Sequence, residues 1–261
     1  MTPSPDAPPT SFAPEPDRPA PDAGAPMRVA AVGDLHVGDN LAHPYRDLFS
    51  AASRDADVLC LCGDLTNFGK TREAEILAED LQACTIPVIG VLGNHDYECG
   101  QPEEVERILT EAGVKLLNGE AYEIDGVGFA GGKGFIGGFG RHMLSSFGEP
   151  AIKAFVQAAV DDANRIENSI RMLRTDRKVV LLHYSPIAET LEGEPPEIFP
   201  FLGSSRLGET IDRYENISLV LHGHAHRGSH QGRTTGGAPV YNVALPILRT
   251  LGERPYAVFE I

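Results

Sequence analysis

The chain has 261 residues, 42% of them apolar, and a formal net charge of -15. That length suits one large domain, or two small ones at most. The acidic balance opposes non-specific binding to nucleic acid or to an anionic membrane surface, although bound cations could still reverse the charge at one site.

Residues 1–26 hold nine of the twenty prolines. Such a stretch cannot bury a core, so a disordered Pro/Ala-rich tail is expected there, with one domain over 27–261. The tail lacks the basic region and apolar core of a secretory signal. No apolar run approaches the roughly 18 residues of a membrane span, so no membrane partner is expected. Cys60, Cys62, Cys84 and Cys99 form neither a disulfide framework nor a Cys-x-x-Cys pair. They read as small hydrophobes in a reducing cytoplasm.

Order should begin near Met27. Strands are expected at 28–32, 57–62 and 87–92, with helices at 45–54, 71–83 and 102–112 between and after them. Thr71 is a plausible helix cap and Pro102 suits a first turn. Strand and helix alternating in this way is the mark of a layered, mostly parallel α/β fold. Short strands follow at 114–117, 121–124 and 127–130, with Asp125-Gly126 as a hairpin turn. Residues 131–140 carry six glycines in ten. Lys133 is followed by Gly134 rather than Ser or Thr, so this is no phosphate-cradling P-loop. It reads as a mobile loop or irregular strand beside a site. The longest helical pattern covers 149–174, and strand 178–182 follows. Residues 185–206 are loop-like, and a short helix at 207–214 precedes strand 218–222. Short strands near 228–233, 239–243 and 255–261 should complete a second sheet.

Five of these apolar runs stop where a metal-binding residue type begins. The first leads to Asp34 and His36, the second to Asp64, and the third to Asn94, His95 and Asp96. Strand 178–182 leads to His183, and strand 218–222 to His224 and His226. Strands buried on both faces read as continuous apolar runs, and such sheets bind ligands beyond their carboxyl ends. One Asp-x-His or His-x-His would be a weak signal. Five of the nine histidines at strand ends, with three Asp and an Asn, are not coincidence. Imidazole, carboxylate and amide oxygen together suit Mn, Fe or Zn rather than Ca or a thiolate site. A single catalytic zinc takes about three protein ligands, so this supply fits two ions sharing a carboxylate.

Gly-Asp-Leu-His at 33–36, Gly-Asp-Leu-Thr at 63–66, Gly-Asn-His-Asp at 93–96, the isolated His183 and Gly-His-Ala-His at 223–226 resemble the ordered motifs of the calcineurin-like metallophosphoesterases. The resemblance implies a four-layer α/β/β/α sandwich with a dimetal site at strand ends. It implies Asp34, His36 and His226 on one ion, Asp64 bridging, and Asn94, His183 and His224 on the other. His95 would be a non-ligand that protonates the leaving oxygen, and Asp96 would orient His95 by a carboxylate–imidazole hydrogen bond. His222, on the strand itself, would be structural. The implied reaction is in-line attack of a metal-bridging hydroxide on a phosphate ester.

Protein phosphatases of the family carry an Arg soon after the second Gly-Asp and a Glu after Asn-His. Here no Arg occurs in Gly63–Gly69, and Asp96 follows His95. The small bacterial phosphodiesterases are the better likeness, and the expected substrate is a small diester such as a cyclic nucleotide. Tyr97, Arg141 and His142 are candidate substrate contacts. A phosphomonoesterase or a nuclease of the same family is the alternative. A non-catalytic metal-binding scaffold is disfavoured because every ligand position is filled. Assembly as a homodimer is left open.

Overall fold

The structure, a computed structural model, describes residues 26–252 and 254–261, so the expected tail lies, apart from Pro26, outside the described residues. In chain order the elements are β1 (Arg28–Val32), α1 (Arg46–Asp55), β2 (Val58–Cys62), α2 (Thr71–Leu81), β3 (Val88–Val91) and α3 (Pro102–Glu111). Then come β4 (Val114–Leu116), β5 (Ala121–Ile124), β6 (Val127–Gly131), α4 (Pro150–Met172), β7 (Arg177–Leu181), α5 (Phe199–Leu202) and α6 (Ser205–Ile211). The chain ends with β8 (Ile217–His222), β9 (Gln231–Arg233), β10 (Pro239–Asn242), α7 (Leu245–Leu251) and β11 (Ala257–Glu260).

The strands form two sheets, ordered β11-β1-β2-β3-β4 and β5-β6-β7-β8-β10-β9. β1 to β4 run parallel, and so do β6, β7, β8 and β10. Alternation along the second sheet shows why these runs are apolar at every position. Phe129, Val179, Leu181, Leu219 and Leu221 face the first sheet and join its core. Ala130, Val180, Leu182, Val220 and Val240 face the other way, onto Ala163, Ile166 and Ile170 of α4 and Leu207 and Ile211 of α6. Successive strand residues point to opposite faces, so a strand covered on both sides must be apolar throughout. α1 packs on β1 and β2, α3 on β4, and α2 lies between these two helices. The architecture is the expected α/β/β/α sandwich, with the seam between the sheets at its centre.

Several expectations are corrected. The last strand does not finish the second sheet. β11 pairs antiparallel with β1, from Arg28 opposite Glu260 to Ala31 opposite Ala257, and closes the first sheet's edge. Residues 185–206 are not simply a loop, since they contain 3-10 turns and α5, and the helix expected from 207 starts at Ser205, capped by the Ser204 side chain. α7 was not anticipated; Pro246 lies in its first turn, where a missing N–H costs nothing. Thr71 is the first helical residue of α2 rather than its cap, and the Glu73 carboxylate accepts the N–H groups of Phe68 and Lys70 instead. No helix among the described residues is long and apolar enough to cross a membrane.

Ile166 is 1% exposed where α4 meets the second sheet. Ile166→Ala leaves a cavity there and is expected to cost about 2–5 kcal/mol. Urea unfolding should show a lower midpoint at an unchanged slope.

Candidate metal centre

The carboxyl ends of β1, β2 and β3 meet those of β7 and β8 at the seam between the sheets. Asp34 and His36 follow β1, Asp64 follows β2, Asn94 and His95 follow β3, His183 follows β7, and His224 and His226 follow β8. All of these expected residues come together. Asp34, His36 and His226 can offer ligand atoms within 4.8 Å of one another, and so can Asp64, His183 and His224. Asn94 joins the second group, with its Oδ1 2.9 Å from His183 Nε2.

Asp64 stands between the two groups. Its Oδ1 lies 3.3 Å from His183 Nε2, and its Oδ2 lies 3.8 Å from His36 Nε2. One carboxylate therefore presents an oxygen to each cluster. Oδ1 also accepts the His95 backbone N–H at 2.9 Å, which ties the third motif to the second. Asp34 accepts the His224 backbone N–H at 3.0 Å and meets His226 Nε2 at 2.9 Å, so it ties the first motif to the last.

Local backbone explains the short motifs. Asp34, His36, Asp64 and His224 all have positive φ, from 47 to 70°. Non-glycine residues rarely adopt this left-handed conformation, and it clusters at functional sites. It turns each candidate ligand sharply out of its strand end. The preceding glycines answer a different need. A Cβ on Gly93 would stand 2.2 Å from Asp64 Oδ1, and one on Gly223 would stand 2.2 Å from Asp34 Oδ2. Gly-Asn-His-Asp and Gly-His-Ala-His thus begin with glycine because a carboxylate from another motif fills that space.

Main-chain carbonyls set the imidazole tautomers. His183 Nδ1–H donates to the Cys62 carbonyl at 3.0 Å and turns a bare Nε2 toward Asn94 Oδ1. His224 Nε2–H donates to the Phe201 carbonyl at 3.1 Å, which frees Nδ1. A carbonyl can only accept, so each ring keeps its lone pair for the cluster. His36 is the sharpest case, since both of its ring nitrogens are buried with no hydrogen-bond partner. Buried polar atoms without partners are rare and call for a ligand. Acceptors facing acceptors, with an orphaned imidazole between two carboxylates, fit a pair of cations.

Electrostatics agrees. Burial pulls His36 down to about 4 and His224 to about 3, and it holds His183 well below the usual imidazole range. These rings are neutral, the state in which imidazole binds metal. Burial pushes Asp34 up to about 6, opposed by its hydrogen bond to His226. That same bond raises His226.

Two expected roles meet different surroundings. Asp96 does not hydrogen-bond to His95. It is fully buried, and its carboxylate accepts N–H groups of Leu65, Thr66 and Gly93 and the Thr66 hydroxyl. It knots the second motif to the third, while burial pushes it up to about 6 against those bonds. His95 is oriented instead by the Asn67 carbonyl, 2.6 Å from Nδ1, which leaves Nε2 4.0 Å from Asp64 Oδ2. Arg141 and His142 lie on an exposed 3-10 turn, where Arg141 Nε donates to His142 Nε2 at 3.1 Å. Neither side chain hydrogen-bonds or stacks on a ligand. Tyr97 stands two residues beyond His95, 37% exposed, with the Lys133 ammonium over its ring. His222 is structural as expected, with Nε2 bonded to Thr190 Oγ1 at 2.8 Å.

Sequence reasoning missed several supports. The Tyr45 hydroxyl donates to the carbonyl of Leu35, between the candidate ligands Asp34 and His36. Asp80, buried in α2, accepts the Tyr45 N–H at 2.8 Å and meets His43 Nδ1 at 2.9 Å. Tyr184 packs its ring 5.2 Å from His183 and 4.6 Å from His224. The glycine-rich 131–140 segment is no free loop. The Lys133 carbonyl accepts the N–H groups of His183 and Tyr184, both at 3.1 Å, and Gly137 and Gly138 bond to Pro200 and Gly203.

Asp64→Asn removes the charge shared by both clusters and is expected to lower bound transition metal by at least one ion per chain, measured by elemental analysis. A second outcome concerns the metal-free protein. His36, His222 and His224 sit at or below about 4 when folded and His183 is also depressed, all against 6.5, so below 6.5 the unfolded chain binds more protons. Asp34 and Asp96, raised to about 6 from 3.8, act in the opposite sense, as do the raised His226 and Asp162. Asp34 and Asp96, however, hold extra protons only below about 6, whereas the four depressed histidines fall behind the unfolded chain from 6.5 downward. The melting temperature should therefore fall as pH drops from 7 to 5.

Comparison with known proteins agrees with this geometry. No curated protein sequence matches the chain. Solved structures do. A phosphopantetheinyl hydrolase from Mycobacterium tuberculosis superposes with a TM-score of 0.60 at 16% identity, covering 90% of this chain and 96% of that one. TT1561 of Thermus thermophilus gives 0.54 at 17%, covering 90% and 99%. A dimetal phosphatase from Danio rerio gives 0.51 at 13%, covering 89% and 91%. At such identities the likeness is one of fold. The profile of the calcineurin-like phosphoesterases matches residues 27–228, which takes in every candidate ligand. The chain belongs to the calcineurin-like phosphoesterase family, whose members depend on two metal ions.

Proposed function

We propose that residues 27–261 form a dimetal phosphodiesterase acting on a small diester, of which a cyclic nucleotide is the simplest case. Asp64 carries this reading, because its two oxygens face two separate ligand clusters. Asp34, His36 and His226 would hold one ion, Asn94, His183 and His224 the other, and Asp64 both. When bound, two such ions supply Lewis-acid charge for the phosphoryl oxygens and an activated water for in-line attack.

The remaining work falls to the protein. His95 is the proton donor to the departing oxygen, since its Nδ1 is committed to the Asn67 carbonyl and its Nε2 is free beside Asp64. The carbonyls of Cys62 and Phe201 fix the lone pairs of His183 and His224 before substrate arrives. Tyr184 backs both rings and keeps water from behind them. The preference for diesters is supported by the second and third motifs, which lack the Arg and Glu of the protein phosphatases. A cytoplasmic location is supported by four cysteines that are all free thiols.

The test is a metal-reconstituted panel of bis-p-nitrophenyl phosphate, p-nitrophenyl phosphate, cyclic AMP and 2′,3′-cyclic nucleotides. Diesters should turn over faster, and a faster monoester would overturn the preference. His95→Ala should keep its metal and lose about 10²–10⁴-fold in kcat. Normal turnover in that variant would end its assignment.

A further inference from the structure

The role of Lys133 is not accounted for by the metal centre. Its side chain is 16% exposed, yet the Lys133 ammonium has little to hold it. One hydrogen bond goes to the Gly134 carbonyl at 3.0 Å. The nearest carboxylate, Asp162 Oδ2, is 3.8 Å away. Asp162 is already matched, because Arg165 Nη1 donates to its other oxygen at 2.7 Å. Of the three donors of the ammonium, one is spent at close range and the pairing with Asp162 is a loose one.

Three aromatic rings surround it instead. The Lys133 Nζ lies 4.9 Å from the centre of Phe135, 5.2 Å from Tyr184 and 5.4 Å from Tyr97. Ring faces attract a cation and orient it, but they do not neutralise it. A largely buried cation that shares its nearest carboxylate with an arginine is only partly balanced, and such cations are found where function needs them.

Its position is informative. The Lys133 carbonyl holds the backbone of His183 and Tyr184, so it borders the Asn94–His183–His224 cluster. Tyr97, under the same ammonium, follows His95 and Asp96 on one 3-10 turn. The cation thus stands beside the Asn94–His183–His224 cluster.

From this arrangement we infer that Lys133 is the anchor for a second anionic group on the substrate, a carboxylate or phosphate on the part that extends past the Asn94–His183–His224 cluster. The inference rests on the phosphoesterase reading and narrows it. The favoured diester becomes one with an added anion rather than a simple cyclic nucleotide. Tyr97 and Tyr184 form the apolar walls between the ions and that anion.

Calorimetry on manganese-loaded protein tests this without turnover. The probes are phosphonoacetate, 3-phosphonopropionate and 4-phosphonobutyrate, each against the alkyl phosphonate of equal length. At one length the wild type should favour the carboxylate by about tenfold or more. Lys133→Met should erase that preference and leave alkyl phosphonate binding within about twofold, and Lys133→Arg should keep most of it. No preference at any length in the wild type overturns the inference, as does equal weakening of both probes in Lys133→Met. Should Lys133→Met not fold, Asp162→Asn replaces it. Removing the competing carboxylate must sharpen the preference, and a weaker one overturns the inference. A wild type that shows the preference but hydrolyses no phosphate ester would refute the phosphoesterase reading and leave Lys133 as an anion site.

Discussion

Asp34 and Asp64 are buried carboxylates within reach of each other's field, and among the described residues their ion-pair partners are all histidines. Among the described residues no lysine or arginine ion pair balances either one. Histidine is a poor counter-ion when burial keeps it neutral, as it does for His36 and His183. Left alone, the arrangement would be a destabilising knot of like charge and unmet acceptors. A pair of cations resolves it, and the rest of the seam follows from that requirement. The left-handed turns aim the ligands, the glycines make room for carboxylates, and the carbonyls of Cys62 and Phe201 fix the tautomers.

Much of this was legible from the chain alone because two strong signals coincide. Strands covered on both faces must be apolar at each position, so β1, β2, β3, β7 and β8 stood out as runs. A polar ligand type after each run then stood out by contrast. What was missed lacks such a local mark. β11 is short and half-buried, and nothing in Ala257–Glu260 says whether it pairs with β10 or travels back to β1. α7 hides behind Pro246, which reads as a breaker unless the helix start is known. Asp96 adjoins His95 in sequence, but neighbours on a 3-10 turn point apart, and its side chain closes onto residues 65, 66 and 93 instead.

The orienting groups were illegible for a different reason. Asn67, Cys62, Phe201 and Leu35 act through main-chain carbonyls, which every residue possesses. Their identity as letters carries no trace of the role. Only the path of the backbone reveals it, so motif reasoning finds ligands readily and their supports hardly at all. Lys133 is intermediate. Its glycine-rich surroundings drew notice, while the rings of Phe135, Tyr184 and Tyr97 that enclose it come from three separate stretches of chain.

The candidate ligands divide by sheet. Asp34, Asp64 and Asn94 belong to the ends of the first sheet's strands, and His183, His224 and His226 to those of the second. A bound ion pair would therefore rivet the two halves of the sandwich across their open edge. Stripping it should let that edge gape while the far side, held by Val127, Val179 and Leu219 toward the amino ends of their strands, stays shut. Amide protons at the carboxyl ends of β1, β2, β7 and β8 would then exchange sooner than those at the opposite ends. Occupancy of the centre would set a breathing motion of the whole molecule as well as its chemistry.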